Sequence, residues 1–170
     1  MKRSAVFLDR DGVLNKDTGY LFRPADLIWI EGAREAVKAI NDAGYLAFVV
    51  TNQSGIARGL YEESDVEKLH AWMAEEFAIS GARIDKFEYC PHHPDGLVER
   101  YRRTCPRRKP SPGMITDLAV QYDVDLSRSI LVGDKDRDLE AAHRAGIAGY
   151  RFKGGNLCTL IKSLLSKHPA

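Results

Sequence analysis

Short apolar runs that stop abruptly in polar turns, alternating with segments of helical period, constrain this chain more than any other feature. Ala5 to Leu8 is apolar throughout and ends at Asp9-Arg10-Asp11-Gly12, which reads as a buried strand running into a loop. Gly32 to Ala43 puts Ala36, Val37 and Ile40 on one helical face, closes on Gly44 and leads into a second strand, Tyr45 to Val50. Glu63 to Ser80 is the clearest helix, with Val66, Leu69, Met73 and Phe77 on one stripe and Glu62, Glu63, Glu67, Lys68, Glu75 and Glu76 free to face water. A third strand over Ile84 to Tyr89, a helix over Gly113 to Tyr122, a strand over Ser129 to Val132 and a helix over Asp136 to Ala145 follow. Tyr150 to Phe152 gives a last strand, and Leu157, Leu160, Ile161 and Leu164 mark a final helix. This alternation predicts an α/β fold, a doubly wound and mainly parallel sheet that binds ligands beyond the carboxyl ends of its strands. At 170 residues with 44% hydrophobic content, residues 1–170 have room for a single domain.

Charge narrows the function. The 25 basic and 24 acidic residues leave a formal net charge of +1, which excludes the uniform positive field of a non-specific nucleic-acid binder. Every apolar run is far shorter than the roughly 20 residues that cross a bilayer. The run at Ala5 to Leu8 is broken at once by Asp9, Arg10 and Asp11, so it makes no signal-peptide core, and a cytoplasmic location is expected. Three cysteines, Cys90, Cys105 and Cys158, suit metal ligation or burial better than a disulfide scaffold. No heptad or broad apolar stripe demands association, so a monomer is expected.

Four polar clusters fall just after strands or in the long loop, and a parallel sheet opens all of them on one edge. They are Asp9, Arg10, Asp11 and Gly12; Thr51, Asn52, Gln53 and Ser54; Arg108, Lys109 and Pro110; and Gly133, Asp134, Lys135 and Asp138. Two carboxylates one residue apart at the end of a buried strand are costly unless a cation offsets them. With Asp134 as a further hard oxygen donor, Mg²⁺ is the expected ion. The Thr51 hydroxyl, the Asn52 amide and the Lys109 charge would surround a phosphoryl group.

At these residues the chain resembles the haloacid dehalogenase superfamily. Within it the chain is similar to the heptose 1,7-bisphosphate 7-phosphatase family, related to histidinol phosphatases, through Thr51 to Gly59 (TNQSGIARG), Tyr89 to Pro94 (YCPHHP) and Arg108 to Met114 (RKPSPGM). The resemblance implies a Rossmann-like fold and a small phosphorylated sugar as substrate, and because the clusters use nearly the whole chain no room is left for the cap domain that many superfamily members insert. It makes Asp9 the nucleophile and Asp11 the acid and base, with Thr51 and Lys109 on the phosphoryl oxygens. It places Mg²⁺ on Asp9, Asp134 and the backbone carbonyl of Asp11, and substrate on Asp17, Gly19, Tyr20, Asn52, Gln53, Ser54, Arg108 and Lys135. From Arg100 to Lys109 stand Arg100, Arg102, Arg103, Arg107, Arg108 and Lys109, of which the first three read as a solvated face.

The stretch from Pro91 to Pro112 holds five prolines and reads as a long functional loop. Cys90, His92 and Cys105 match part of the family's structural zinc pattern, which makes residues 90–107 a zinc-binding loop. The fourth ligand position is Arg107, so either His93 or a water completes the sphere or the site has decayed into hydrogen bonds and packing. Cys158 reads as buried, His70 and His143 as structural or exposed, and Trp29 and Trp72 as packing residues. Competing readings are a histidinol-phosphate phosphatase, a polynucleotide 3′-phosphatase, a phosphoaspartate receiver module and a phosphosugar-binding module. The receiver carries its acidic pair and its phosphoacceptor on different strands, whereas Asp9 and Asp11 follow the same one.

Overall fold

The computed structural model describes residues 2–168. Five strands, β1 (Ala5–Leu8), β2 (Leu46–Asn52), β3 (Lys86–Cys90), β4 (Ile130–Gly133) and β5 (Ala148–Arg151), form one sheet in the order β3-β2-β1-β4-β5. Every pairing is parallel. The helices are α1 (Ala33–Asp42), α2 (Glu63–Ile79), α3 (Gly113–Gln121), α4 (Asp136–Ala145) and α5 (Leu157–Lys167).

Alternate residues of each central strand enter opposite layers, as a strand buried on both faces requires. Val6, Leu8, Ala47, Val49, Ile130 and Val132 pack with α1, α2 and α5. Phe7, Phe48, Val50 and Leu131 pack with α3 and α4. A third, smaller apolar cluster of Ile56, Ala57, Tyr61, Val66 and Tyr101 ties the loop after β2 to the long loop after β3. The doubly wound sheet is as the sequence predicts. Because the chain winds outward from β1 in both directions, the loops after β1, β2 and β4 meet over a switch point, where such sheets bind ligands.

Edge elements depart most from expectation. β5 begins at Ala148, before the predicted Tyr150, and β3 begins at Lys86, after the predicted Ile84. Both are edge strands whose residues, Cys90 apart, are half-buried or exposed, so pairing to β4 and β2 sets their limits and no apolar run announces them. Cys158 is buried as expected, and Trp29 stacks on Trp72 with ring centroids 6.1 Å apart. Among the described residues no helix is long and apolar enough to cross a membrane.

Candidate active site

Asp9 follows β1 directly, and its backbone N–H donates to the Val132 carbonyl of β4 at 3.0 Å, which pins it at the switch point. Its Oδ1 accepts from Lys109 Nζ at 2.8 Å. The same ammonium lies 2.7 Å from Asp138 Oδ1 and donates to the Val50 carbonyl at 2.7 Å. Two hydrogen bonds and an ion pair thus fix a lysine that is 2% exposed, and hold its ammonium against Asp9. Asp138 is anchored in turn, since its Oδ2 accepts from the Lys135 N–H at the start of α4 at 3.0 Å.

Burial pushes the Asp9 carboxyl up to about 7 against the pull of Lys109, with Asp138 and Asp11 adding to the rise. For Lys109 burial opposes the charge, but Asp9 and Asp138 outweigh it and hold the ammonium above its ordinary value.

Asp9, Asp134 and Asp138 bring carboxylate oxygens within 4.8 Å of one another. Asp134 Oδ1 is buried with no hydrogen-bond partner, as a carboxylate prepared for a cation would be. A Cβ on Gly12, at φ +90°, would lie 2.2 Å from Asp134 Oδ2, so glycine is what lets this carboxylate close over the first loop. Hard oxygen donors and an orphaned carboxylate oxygen fit Mg²⁺. The Asp11 side chain points elsewhere. It accepts from Arg10 Nη2 at 3.1 Å on both oxygens, from Asn15 Nδ2 at 2.9 Å and from Gln53 Nε2 at 3.1 Å.

A cavity of about 430 Å³ opens over these groups, and its lining includes Asp9, Asp11, Asp17, Gly19, Tyr20, Thr51 and Ser54. Asn52 and Gln53 line it too, but their amides serve the protein. Asn52 donates to the Lys109 carbonyl and accepts from the Lys109 N–H, both at 2.9 Å, and so clamps that loop to β2. Gln53 donates to Thr51 Oγ1 at 2.8 Å and to Asp11, and accepts from the Tyr61 hydroxyl at 2.6 Å. Lys135 does not line the cavity. Its Nζ lies 3.4 Å from Asp134 and 3.9 Å from Asp17, which draw it to the rim.

Arg58, His93 and Arg137 do line it, together with Arg108. Among the described residues none of the three guanidiniums meets a carboxylate within ion-pair distance, and Arg58 Nε is buried without a partner. Burial foremost, then the charges of Arg137 and Arg58, hold Arg108 below its ordinary value. Three cations with no carboxylate partner among the described residues, lining one cavity, call for an anion. Arg58 stands inside the TNQSGIARG stretch, and that was the available signal for it; Arg137 carried none. Arg100 stacks on Tyr101 at 4.7 Å while Arg102 and Arg103 are exposed, as expected for a solvated face.

The long loop brings the Cys90, His92 and Cys105 ligand atoms within 4.8 Å of one another. Neither neighbour completes a sphere of protein ligands. Arg107 is drawn away by Glu88 and by Asp117, the latter at 3.2 Å. His93 is turned to the substrate cavity, accepting from the Asp95 N–H at 3.0 Å with its Nε2 3.4 Å from Arg58. Burial foremost pushes the Cys90 thiol up to about 12.

A HAD-hydrolase-like family model matches residues 106–159. The D-glycero-β-D-manno-heptose-1,7-bisphosphate 7-phosphatase of Rhodopseudomonas palustris is 48% identical over 164 residues, covering 96% of this chain and 91% of that protein. The D-glycero-α-D-manno-heptose-1,7-bisphosphate 7-phosphatase of Burkholderia mallei is 46% identical, covering 86% of this chain and 78% of that one. The crystal structure of a D,D-heptose 1,7-bisphosphate phosphatase from B. bronchiseptica, complexed with magnesium and phosphate, aligns with a TM-score of 0.83 at 33% identity. That alignment covers 96% of this chain and 99% of the other.

Proposed function

The chain belongs to the D-glycero-D-manno-heptose-1,7-bisphosphate 7-phosphatase family of the haloacid dehalogenase superfamily, and from that premise we propose that it removes the 7-phosphate of a heptose 1,7-bisphosphate. The observation that carries this reading is one cavity lined both by Asp9, Asp11 and Thr51 and by Arg58, Arg108 and Arg137, whose guanidiniums meet no carboxylate among the described residues. One phosphate is cleaved at Asp9 while the arginines grip the second.

Asp9 Oδ2 attacks phosphorus, since Oδ1 is held by Lys109. The P–O bond to the sugar breaks as Asp11 gives its proton to the leaving oxygen. Asp11 then takes a proton from water, whose oxygen attacks the aspartyl phosphate; the P–O bond to Asp9 breaks and inorganic phosphate leaves. Thr51 offers its hydroxyl to a phosphoryl oxygen, and Lys109 keeps Asp9 aimed and offsets its charge. Asp9, Asp134 and the Asp11 carbonyl would hold Mg²⁺, which when bound neutralises phosphoryl charge and favours the ionised form of Asp9.

Turnover on heptose 1,7-bisphosphate, histidinol phosphate and a heptose 7-phosphate lacking the second phosphate tests the reading. The bisphosphate is the expected best substrate, and both anomers belong in the assay because relatives named for each are similarly close. Substituting both Arg58→Met and Arg137→Met is expected to raise KM for the bisphosphate by about 10²-fold or more, the worth of two lost charge-assisted contacts, with kcat changed less than about threefold. A preference for histidinol phosphate would overturn the assignment.

A zinc ion held by Cys90, His92, Cys105 and a water belongs to the same reading, as a structural tie for the long loop. It is supported by three ligand atoms already gathered. Metal analysis of untagged protein is expected to find about one zinc per chain; a value near zero would remove zinc from this loop. We further assign the enzyme to the cytoplasm, on its three free cysteines. We read it as a single domain with no cap, its site covered by loops alone. Near-balanced charge argues against a nucleic-acid partner, and exposed large apolar residues spread over separate elements favour a monomer.

A further inference from the structure

Arg10 is among the largest side chains fully buried in the fold. Its Nη2 donates to both Asp11 oxygens at 3.1 Å and to the Leu21 carbonyl at 2.9 Å, and its Nε lies 3.2 Å from Asp11 Oδ1. The other end of the guanidinium, Nη1, lies 3.1 Å from His70 Nε2. Arginine offers only donors, so Nε2 is the acceptor and the imidazole is neutral with its proton on Nδ1. Burial foremost, then the Arg10 charge, hold His70 well below its ordinary pKa, consistent with that tautomer.

His70 is itself fixed. It sits on α2, is 5% exposed, stacks on Phe87 of β3 at 4.7 Å and meets the edge of Tyr89 at 6.0 Å. The imidazole thus carries the position of the helix and the edge strand to the guanidinium, and the guanidinium carries it to Asp11.

We propose that His70 is a positioning residue for the reaction, holding the Arg10 guanidinium in the one orientation that aims Asp11 at the departing and attacking oxygens. This rests on the reading of Asp11 as acid and base. Without an acceptor at position 70, Nη1 is a buried donor with nothing to bond. The guanidinium then rotates toward other acceptors and its two-oxygen grip on Asp11 is lost. Asn15 and Gln53 still hold the carboxylate, so it stays in the site but off its line.

Leaving groups separate this from a general structural role. A sugar alkoxide needs a proton as it departs, whereas p-nitrophenolate leaves without one. His70→Leu is expected to lower kcat on the sugar phosphate by about 10²-fold, the scale of a displaced general acid–base group. With p-nitrophenyl phosphate its first turnover stays within about threefold of wild type and appears as a burst, since only later hydrolysis needs Asp11 as a base. His70→Gln, which can present an amide oxygen near the Nε2 position, is expected to restore most of kcat. If His70→Leu does not fold, His70→Met fills the space without a strong acceptor and takes its place.

Equal losses on both substrates, or no rescue by His70→Gln, would overturn the proposal. Asp11→Asn run in parallel keeps the two readings apart. If it shows the leaving-group split and the His70 variants do not, the positioning role fails alone; if it shows no split, the assignment of Asp11 fails first.

Discussion

Asp9→Asn is expected to end phosphate release, a fall of about 10³-fold or more, while the fold stands. An amide oxygen can still accept from Lys109, but it is too weak a nucleophile to attack phosphorus. Stability should hold for an electrostatic reason. The variant removes one of the two carboxylates facing Lys109 and leaves a balanced pair, Lys109 with Asp138 at 2.7 Å. Asparagine also matches the neutral form that burial already favours, since the Asp9 carboxyl stands near 7. Phosphate release, far-ultraviolet circular dichroism and the melting temperature measure all three points. Turnover within tenfold of wild type would remove Asp9 from the nucleophile's role.

Central strands were legible because each is buried on both faces and so must be apolar along its length. Ala5–Leu8 is the clearest, with all four residues buried. Their positions then forced the catalytic clusters together, since a parallel sheet aligns its carboxyl ends. β5 was less legible, because an edge strand with the pattern Ala-Gly-Tyr-Arg is set by its pairing with β4 and not by burial.

Within the site, residue types were readable and their partners were not. Asn52 and Gln53 fell in the right cluster, yet nothing in their spacing says that their amides are spent on Lys109, Thr51, Asp11 and Tyr61. Lys135 adjoins Asp134 in sequence but caps α4, and Asp17 from a distant loop helps draw it aside. His93 was read with the zinc loop, and only the packing of that loop against Arg58 turns it to the substrate cavity. His70 had a readable signal: it falls four residues after Val66 and seven before Phe77, on the buried stripe of α2. A histidine on such a stripe needs a partner, and Arg10 is that partner.

Lys109→Met is the converse of the first experiment and should be as damaging to the fold as to the reaction. Removing this ammonium leaves Asp9 and Asp138 facing each other with no cation between them. Breaking a buried ion pair from one side costs about 3–5 kcal/mol, which for a chain of this size lowers the melting temperature by roughly 10 °C. The pH dependence identifies the cause. A carboxyl whose pKa is raised in the folded state contributes stability that is whole below its unfolded value near 3.8 and is lost as pH climbs through the folded value. In the wild type that loss ends near 7, with Lys109 holding Asp9 there; without Lys109 the carboxyl rises further and the loss continues. Melting in EDTA is therefore expected to show a deficit that widens above about pH 7. Adding Asp9→Asn to Lys109→Met should recover part of the stability and none of the turnover. A Lys109→Met protein that melts with the wild type from acid to alkaline pH would show that the buried triad does not hold the site.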